Sequence, residues 1–245
     1  MVRLSVNVNK VATIRNSRGG SVPSVLDAVR VCVDAGAPGI TVHPRADARH
    51  ITATDVREVA ALLRTRKHQV EFNIEGDPRP DLIALVHEVK PTQCTLVPVR
   101  PGEITSQARW SSDTPRAAME LIVRDMRAQG VRVSLFVDAE EAPIRWAADM
   151  KADRVELYTE PFARAYERGS QAAEQSYETY ARAANLANSL GMGINAGHDL
   201  DLDNLQMFRR LPHLAEVSIG HALVSHALFV GLDRSVREYL DVLAG

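Results

Sequence analysis

Short β-branched runs and helical stretches alternate eight times along this chain, and few folds accept that alternation. The runs are Leu4–Asn9, Gly39–His43, Val70–Ile74, Cys94–Pro98, Arg132–Val137, Arg154–Tyr158, Gly193–Ala196 and Glu216–Gly220. Strands separated by helices of ten or more residues pair in parallel, because a helical crossover returns the chain to the same end of the sheet. The 245 residues suit a single (β/α)8 barrel with extra helices, spanning residues 1–245 as one domain. An open doubly wound sheet is the competing arrangement. It would want a glycine-rich phosphate loop after the first strand, and Asn7-Val-Asn-Lys-Val-Ala is not one.

The helices are signalled locally. Thr52 precedes Asp55 by three, the spacing of a capping box, and Val56, Val59 and Leu63 follow on one face. Pro23 suits a first helical turn, with Leu26, Val29 and Val33 behind it at helical spacing. Gly36, Gly130 and Gly191 stand between a helical pattern and a strand, where a left-handed cap is needed. Ala222–Leu243 reads as one last outer helix.

Bulk properties exclude several classes. A net charge of −2 gives no basic footprint for nucleic acid. No apolar run approaches the length of a membrane span, and the N-terminus lacks the apolar core of a signal peptide. The two cysteines, Cys32 and Cys94, lie far apart without metal-ligand spacing, which fits a reducing cytoplasm.

In such a barrel, chemistry gathers at the C-terminal ends of the strands. Asn7 and Asn9 fall there on strand one and His43 on strand two, with Arg45 and His50 in the following loop. Thr105 follows strand four, Asp138 ends strand five, Asn195 and His198 end strand seven, and Gly220 and His221 end strand eight. Charged residues inside strands are rare unless paired or functional, which singles out Glu71 and Glu156. Alternation places Glu71, Asn73 and Glu75 on one face and turns Val70, Phe72 and Ile74 to the helices; likewise Glu156 points inward between Val155 and Leu157. Asp138 can serve instead as a helix cap, and Trp110 as a lid or a packing anchor. His68, His87, His213 and His226 read as structural.

Positive charge clusters after strands one and two as Arg15, Arg18, Arg45, Arg49 and His50. Guanidinium groups bind phosphate bidentately. Two Gly-His turns, Asn195-Ala-Gly-His198 and Ser218-Ile-Gly-His221, offer backbone N–H groups on the other side. Two separated anion sites imply two phosphorylated substrates or one bisphosphate. A metal centre built from His43, Glu71, His50 and His198 is the rival reading, and Arg45 two residues from His43 opposes it by charge. That rival would make the chain a metal-dependent sugar-phosphate isomerase or aldolase. A non-catalytic barrel acting as a scaffold is a second alternative.

Several stretches in order resemble the pyridoxine 5'-phosphate synthase family: residues 7–18, 39–52, 70–76, 95–98, 133–138, 195–198 and 219–222. The resemblance implies a metal-free, cofactor-free (β/α)8 barrel that assembles as a homo-oligomer, an octamer built from dimers, with neither nucleic acid nor membrane as partner. It implies condensation of 3-amino-2-oxopropyl phosphate with 1-deoxy-D-xylulose 5-phosphate in vitamin B6 biosynthesis. By the same resemblance His43 and Glu71 match acid/base positions, His198 a proton donor and Glu156 a stabiliser of the transition state. Asn7, Arg18, Asp199, Gly220 and His221 match contacts to the aminoketone phosphate. Asn9, Lys10, Arg45, His50 and Thr105 match contacts to the sugar phosphate. The chain departs from the commoner family pattern at Asn9-Lys10, at Asp199 and in the loop after Tyr158. A lid is expected over Val99–Trp110.

Overall fold

A computed structural model describes residues 1–66, 69–99 and 108–245. Eight strands close into a barrel in chain order: β1 (Arg3–Asn7), β2 (Gly39–Val42), β3 (Glu71–Gly76), β4 (Gln93–Leu96), β5 (Arg132–Val137), β6 (Arg154–Tyr158), β7 (Gly193–Gly197) and β8 (Leu214–Ile219). Every pairing is parallel, and β1 pairs with both β2 and β8, which closes the ring. All eight strands therefore present their C-terminal ends at one mouth.

Helices lie between successive strands. Among the described residues they are α1 (Asn9–Asn16), α2 (Val25–Asp34), α3 (Ala53–Arg64), α4 (Pro80–Val89), α5 (Arg116–Ala128), α6 (Glu141–Asp149), α7 (Glu160–Glu167), α8 (Ser170–Ser189), α9 (Leu205–Phe208), α10 (His221–Val230) and α11 (Leu232–Ala244). The capping box at Thr52 forms as expected: its hydroxyl accepts from the Asp55 N–H while Asp55 accepts from the Thr52 N–H. Gly36, Gly130 and Gly191 adopt positive φ just after helices.

Four local expectations are corrected. Asn9 begins α1 rather than ending the strand, because Asn7 Oδ1 accepts the Asn9 N–H and turns the chain. Pro23 precedes α2, whose N-cap is Ser24, accepting from the Asp27 N–H. The last segment is two helices, because Gly231 at φ 87° breaks the periodic pattern. Asp138 does not cap α6, whose N-cap is Glu140; its carboxylate pairs with Arg109 at 2.9 Å.

The apolar core lies outside the barrel. Val6, Ile40, Ile74, Leu96, Leu135, Leu157 and Val217 are fully buried against helix residues such as Val29, Val59, Val86, Val123 and Val236. The inward face is polar, where barrels of this type usually carry Val, Ile and Leu. Many of its polar groups pair with one another, as burial requires, although among the described residues Ser134 Oγ and Glu156 Oε2 have no partner. The Ser5 and Thr41 hydroxyls lie 2.7 Å apart; Asn73 Nδ2 donates to Thr41 Oγ1 (3.3 Å), and Thr95 Oγ1 donates to Asn73 Oδ1 (3.1 Å). Gln93 Oε1 accepts from Arg132 Nε (2.9 Å) and Asn195 Nδ2 (3.2 Å), and Asn195 Oδ1 accepts from Arg154 Nη1 (2.7 Å).

Charge closes the far end. Glu71, the first residue of β3, is clamped by Arg3 Nη1 at 2.6 Å and Arg132 Nη2 at 2.5 Å. Burial raises its pKa, but the Arg132 hydrogen bond and the charges of Arg132 and Arg3 outweigh this and hold it below the ordinary carboxylate value. Replacing the carboxylate leaves two partly exposed guanidinium groups facing each other without it. The Glu71→Gln variant is expected to lose about 1–3 kcal/mol in a urea titration. An unchanged midpoint would mean that the clamp does not hold the barrel together.

Candidate active site

The mouth of the barrel opens into a pocket built from the ends of several strands and the segments that follow them. Parallel strands fix which residues reach it. On β3 the register pairs Glu71 with Gly39 and Asn73 with Thr41, so Glu75 stands two residues further toward the mouth. Glu75 lines the pocket and Glu71 does not. The expected role of Glu71 as a catalytic acid/base is therefore corrected: it is a structural anchor at the opposite end, and Glu75 occupies the site. Alternation places both carboxylates on the inward face of the strand but does not say which of them reaches the mouth.

Glu75 and His43 form the centre of the pocket, with Glu75 Oε2 at 3.8 Å from His43 Nδ1. Asn7 Nδ2 donates to Glu75 Oε2 and the Ser218 hydroxyl to Oε1, both at 3.4 Å. Burial pushes the Glu75 carboxyl up to about 8; the Ser218 hydrogen bond opposes this and the charge of Glu216 adds to it. Burial also lowers His43 well below its ordinary value, reinforced by His50, Arg45, Arg79 and His198. At neutral pH the pair is thus a carboxylic acid beside a neutral imidazole, the reverse of their order in water. The His43 backbone N–H donates to Asn9 Oδ1 at 2.9 Å, which ties the strand end to α1.

Glu156 lies beneath this pair and is almost fully buried. Burial first, then the charges of Glu75 and Glu216, raise its carboxyl well above the ordinary range, against a Thr95 hydrogen bond. Its Oε2 has no hydrogen-bond partner among the described residues. Gly197 makes room for it, since a Cβ there would approach Glu156 Oε1 to 2.7 Å.

His198 stands across the pocket in a left-handed conformation (φ 85°), followed by Asp199, also left-handed (φ 57°). Both conformations are strained for residues with a Cβ and are held by neighbours. The Thr159 hydroxyl donates to the Gly197 and His198 carbonyls, and Asn204 Nδ2 donates to the Asp199 carbonyl at 3.0 Å. The His198 ring packs against Phe136 and Tyr158, at centroid distances of 5.1 and 5.2 Å. Desolvation there pushes it down to about 4, helped by Arg109 and opposed by Glu160.

Two walls can receive anions. On one side stand Lys10, Arg45 and His50. The Ile51 N–H donates to His50 Nδ1 at 2.9 Å, so Nε2 carries the proton. Burial, then Arg45, Lys10 and Arg49, push His50 down to about 4, and it is a neutral donor at neutral pH. On the other side α10 begins at Gly220 without a side-chain cap, so its first-turn N–H groups have no side-chain acceptor. Gly220, His221 and Ala222 line the pocket here. Gly220 cannot carry a side chain, because a Cβ would meet both Cβ and the carbonyl oxygen of Asn7 at 3.0 Å.

Of the residues expected from sequence, the pocket gathers Asn7, Asn9, Lys10, His43, Arg45, His50, Glu156, His198, Asp199, Gly220 and His221. Arg18 is not brought there; it is exposed in the turn after α1. Thr105 lies outside the described residues, as does most of the expected lid over Val99–Trp110. Trp110 is an anchor: Nε1 donates to the Leu96 carbonyl at 2.8 Å and the ring stacks on Trp146. The four donors of the rival metal centre do not converge, because Glu71 is at the other end. Among the described residues no three His, Cys, Asp or Glu side chains are grouped to hold an ion. Ser218 was missed, having only its place on an inward strand position to mark it.

Residues 4–245 match the family described as Pyridoxal phosphate biosynthesis protein PdxJ. The chain belongs to that family. A relative from Porphyromonas gingivalis, named pyridoxine 5'-phosphate synthase, is 50% identical over all of both chains. One from Leptospira biflexa with the same name is 47% identical, covering all of this chain and 98% of its own. Among solved structures, KGPDC from Streptococcus mutans superposes over 100% of this chain and 98% of that one with a TM-score of 0.64 at 9% identity. Likeness at that identity concerns the barrel alone.

The acid–base inversion has a measurable consequence. The folded-state pKa of Glu75 is raised, so the folded protein holds an extra proton between the ordinary carboxyl value and about 8. The stability this contributes is complete at low pH and is lost as pH rises through the folded value. Glutamine at 75 removes that dependence. The melting temperature of Glu75→Gln relative to wild type should therefore climb as pH goes from about 5 to about 9. A difference that stays flat across that range would place the carboxyl pKa near its solution value.

Proposed function

We infer that this chain is a pyridoxine 5'-phosphate synthase, condensing 3-amino-2-oxopropyl phosphate with 1-deoxy-D-xylulose 5-phosphate to give pyridoxine 5'-phosphate, phosphate and water. The observation that carries the reading is the His43–Glu75 pair set between two anion-receiving walls in one pocket. Family membership over almost the whole chain supports the same reaction.

The chemistry follows from the protonation states. Joining an amine to a ketone needs a base for the ammonium proton and an acid for the departing water. His43 is neutral and takes the first proton; Glu75 is protonated and supplies the second. The adjacent groups then re-exchange a proton and are ready for the later transfers. Until that exchange, positive charge on the iminium carbon and nitrogen is met by the carboxylate that Glu75 has become, with the neutral Glu156 carboxyl contributing only its dipole. His198, neutral and packed on two aromatic rings, serves as the proton carrier on the opposite wall. Arg45, His50 and Lys10 hold the sugar phosphate, and the α10 N-terminus with His221 and Asn7 holds the aminoketone phosphate. The Asp199 carboxylate faces that second phosphate unfavourably, so its contact is made through the backbone. Fixing both phosphates turns a bimolecular encounter into an oriented one.

Incubating the purified protein with both phosphorylated substrates should give a pyridine product, read by its fluorescence, together with inorganic phosphate. Omitting either substrate should abolish both signals. Phosphate release from the sugar phosphate alone would contradict the reading and point to another barrel chemistry.

A further inference from the structure

Arg15 sits one helix away from the sugar-phosphate wall and touches none of the pocket, yet its hydrogen bonds converge on the loop that carries that wall. Its guanidinium binds Asp55 with two parallel bonds, Nη1 to Oδ1 at 2.5 Å and Nη2 to Oδ2 at 3.0 Å. Both side chains are nearly buried, 14% and 8% exposed, so solvent screens the pair weakly. Nη2 also donates to the His50 carbonyl at 3.2 Å. The neighbouring Asn16 donates to the same carbonyl at 2.9 Å, and its Oδ1 accepts from Arg15 Nε at 2.9 Å. Asp55 in turn accepts from the N–H and the hydroxyl of Thr52, both at 2.8 Å. The C-terminal end of α1, the His50 backbone and the start of α3 are thereby locked together. The N-terminal end of α1 is fastened to β2 through Asn9 and the His43 N–H. The loop bearing Arg45 and His50 thus has its position set at both ends by one short helix.

We propose that Arg15 is a positioning residue for the sugar-phosphate site, acting through the His50 carbonyl and Asp55 to hold Arg45 and His50 in register with Lys10. The proposal rests on the substrate reading given above. In the sequence Arg15 is one member of the positive cluster after strands one and two; the geometry assigns it to holding the loop that bears Arg45 and His50. A planar fork is needed for this, since three acceptors lie in fixed directions around it. Lysine keeps the charge but has no rigid geometry with which to meet all three.

Steady-state kinetics on the full chain separate positioning from bulk stability. Arg15→Met is expected to raise KM for 1-deoxy-D-xylulose 5-phosphate about tenfold, the size of one lost charge-assisted hydrogen bond. KM for the aminoketone phosphate and kcat at saturation should change little. Arg15→Lys should retain most of the defect. Asn16→Ala, which removes the shorter bond to the His50 carbonyl and the acceptor of Arg15 Nε but leaves the Arg15–Asp55 pair, should show a smaller rise of the same kind and keeps the question open to test if Arg15→Met fails to fold. A lowered melting temperature with both KM values unchanged, or both raised equally, overturns the positioning role. Failure of the wild-type enzyme to saturate with the sugar phosphate overturns the substrate reading, and the proposal with it.

Discussion

A carboxylate held between two guanidinium groups closes the end of the barrel away from the mouth. Glu71 lies against Arg3 and Arg132, which come from strands on either side of it around the ring. From that clamp a hydrogen-bonded column of Gln93, Asn195, Thr95, Asn73 and Thr41 rises through the interior. A polar interior is costly unless its groups find partners; here some come from adjacent strands, as Thr41, Asn73 and Thr95 do, and others from across the barrel, as Gln93 and Asn195 do, so the network also helps fix the register of the strands. The apolar work of folding is left to the outer face of the strands and the helices around them.

The mouth inherits its chemistry from this arrangement. Glu75 and Glu156 stand above a column that has few positive charges to spare for them, since the three arginines are engaged lower down with Glu71, Gln93 and Asn195. Burial drives their carboxyls toward the neutral form, with neighbouring carboxylates adding to it, and drives His43 and His198 toward the neutral imidazole, with cationic neighbours adding to it. A neutral proton donor and a neutral acceptor, Glu75 and His43, then lie 3.8 Å apart without any formal charge to be desolvated. Substrate charge is met at the walls, where backbone N–H groups and cationic side chains are held by α1 and α10.

Strand order, inward faces and most pocket residues were legible in the sequence because they depend on short-range patterns. A period of two along a strand sorts Glu71, Asn73 and Glu75 from Val70, Phe72 and Ile74, and the structure keeps that division. The roles of individual charges were not legible, because their partners are remote. Glu71 looked like a catalytic carboxylate until Arg3 and Arg132, 68 and 61 residues away, were seen to hold it. Arg15 was only one charge in a positive cluster, and its partner Asp55 is 40 residues on. Asp138 had the place of a helix cap, yet it answers Arg109. In each case residue type and local position are visible in the sequence, whereas the partner that decides the role comes from a segment far along the chain. The break at Gly231 is a different failure: helical periodicity continues on both sides of it, and only the left-handed glycine marks the turn.

The division of labour between the two ends of β3 is the central claim, and turnover measured side by side for two folded variants tests it most directly. Glu75→Gln should lower kcat by about a hundredfold or more, as loss of a general acid–base group does, whereas Glu71→Gln, at a temperature where it remains folded, should stay within about fivefold of wild type. The opposite order, with Glu71→Gln nearly inactive and Glu75→Gln near normal, would contradict the account.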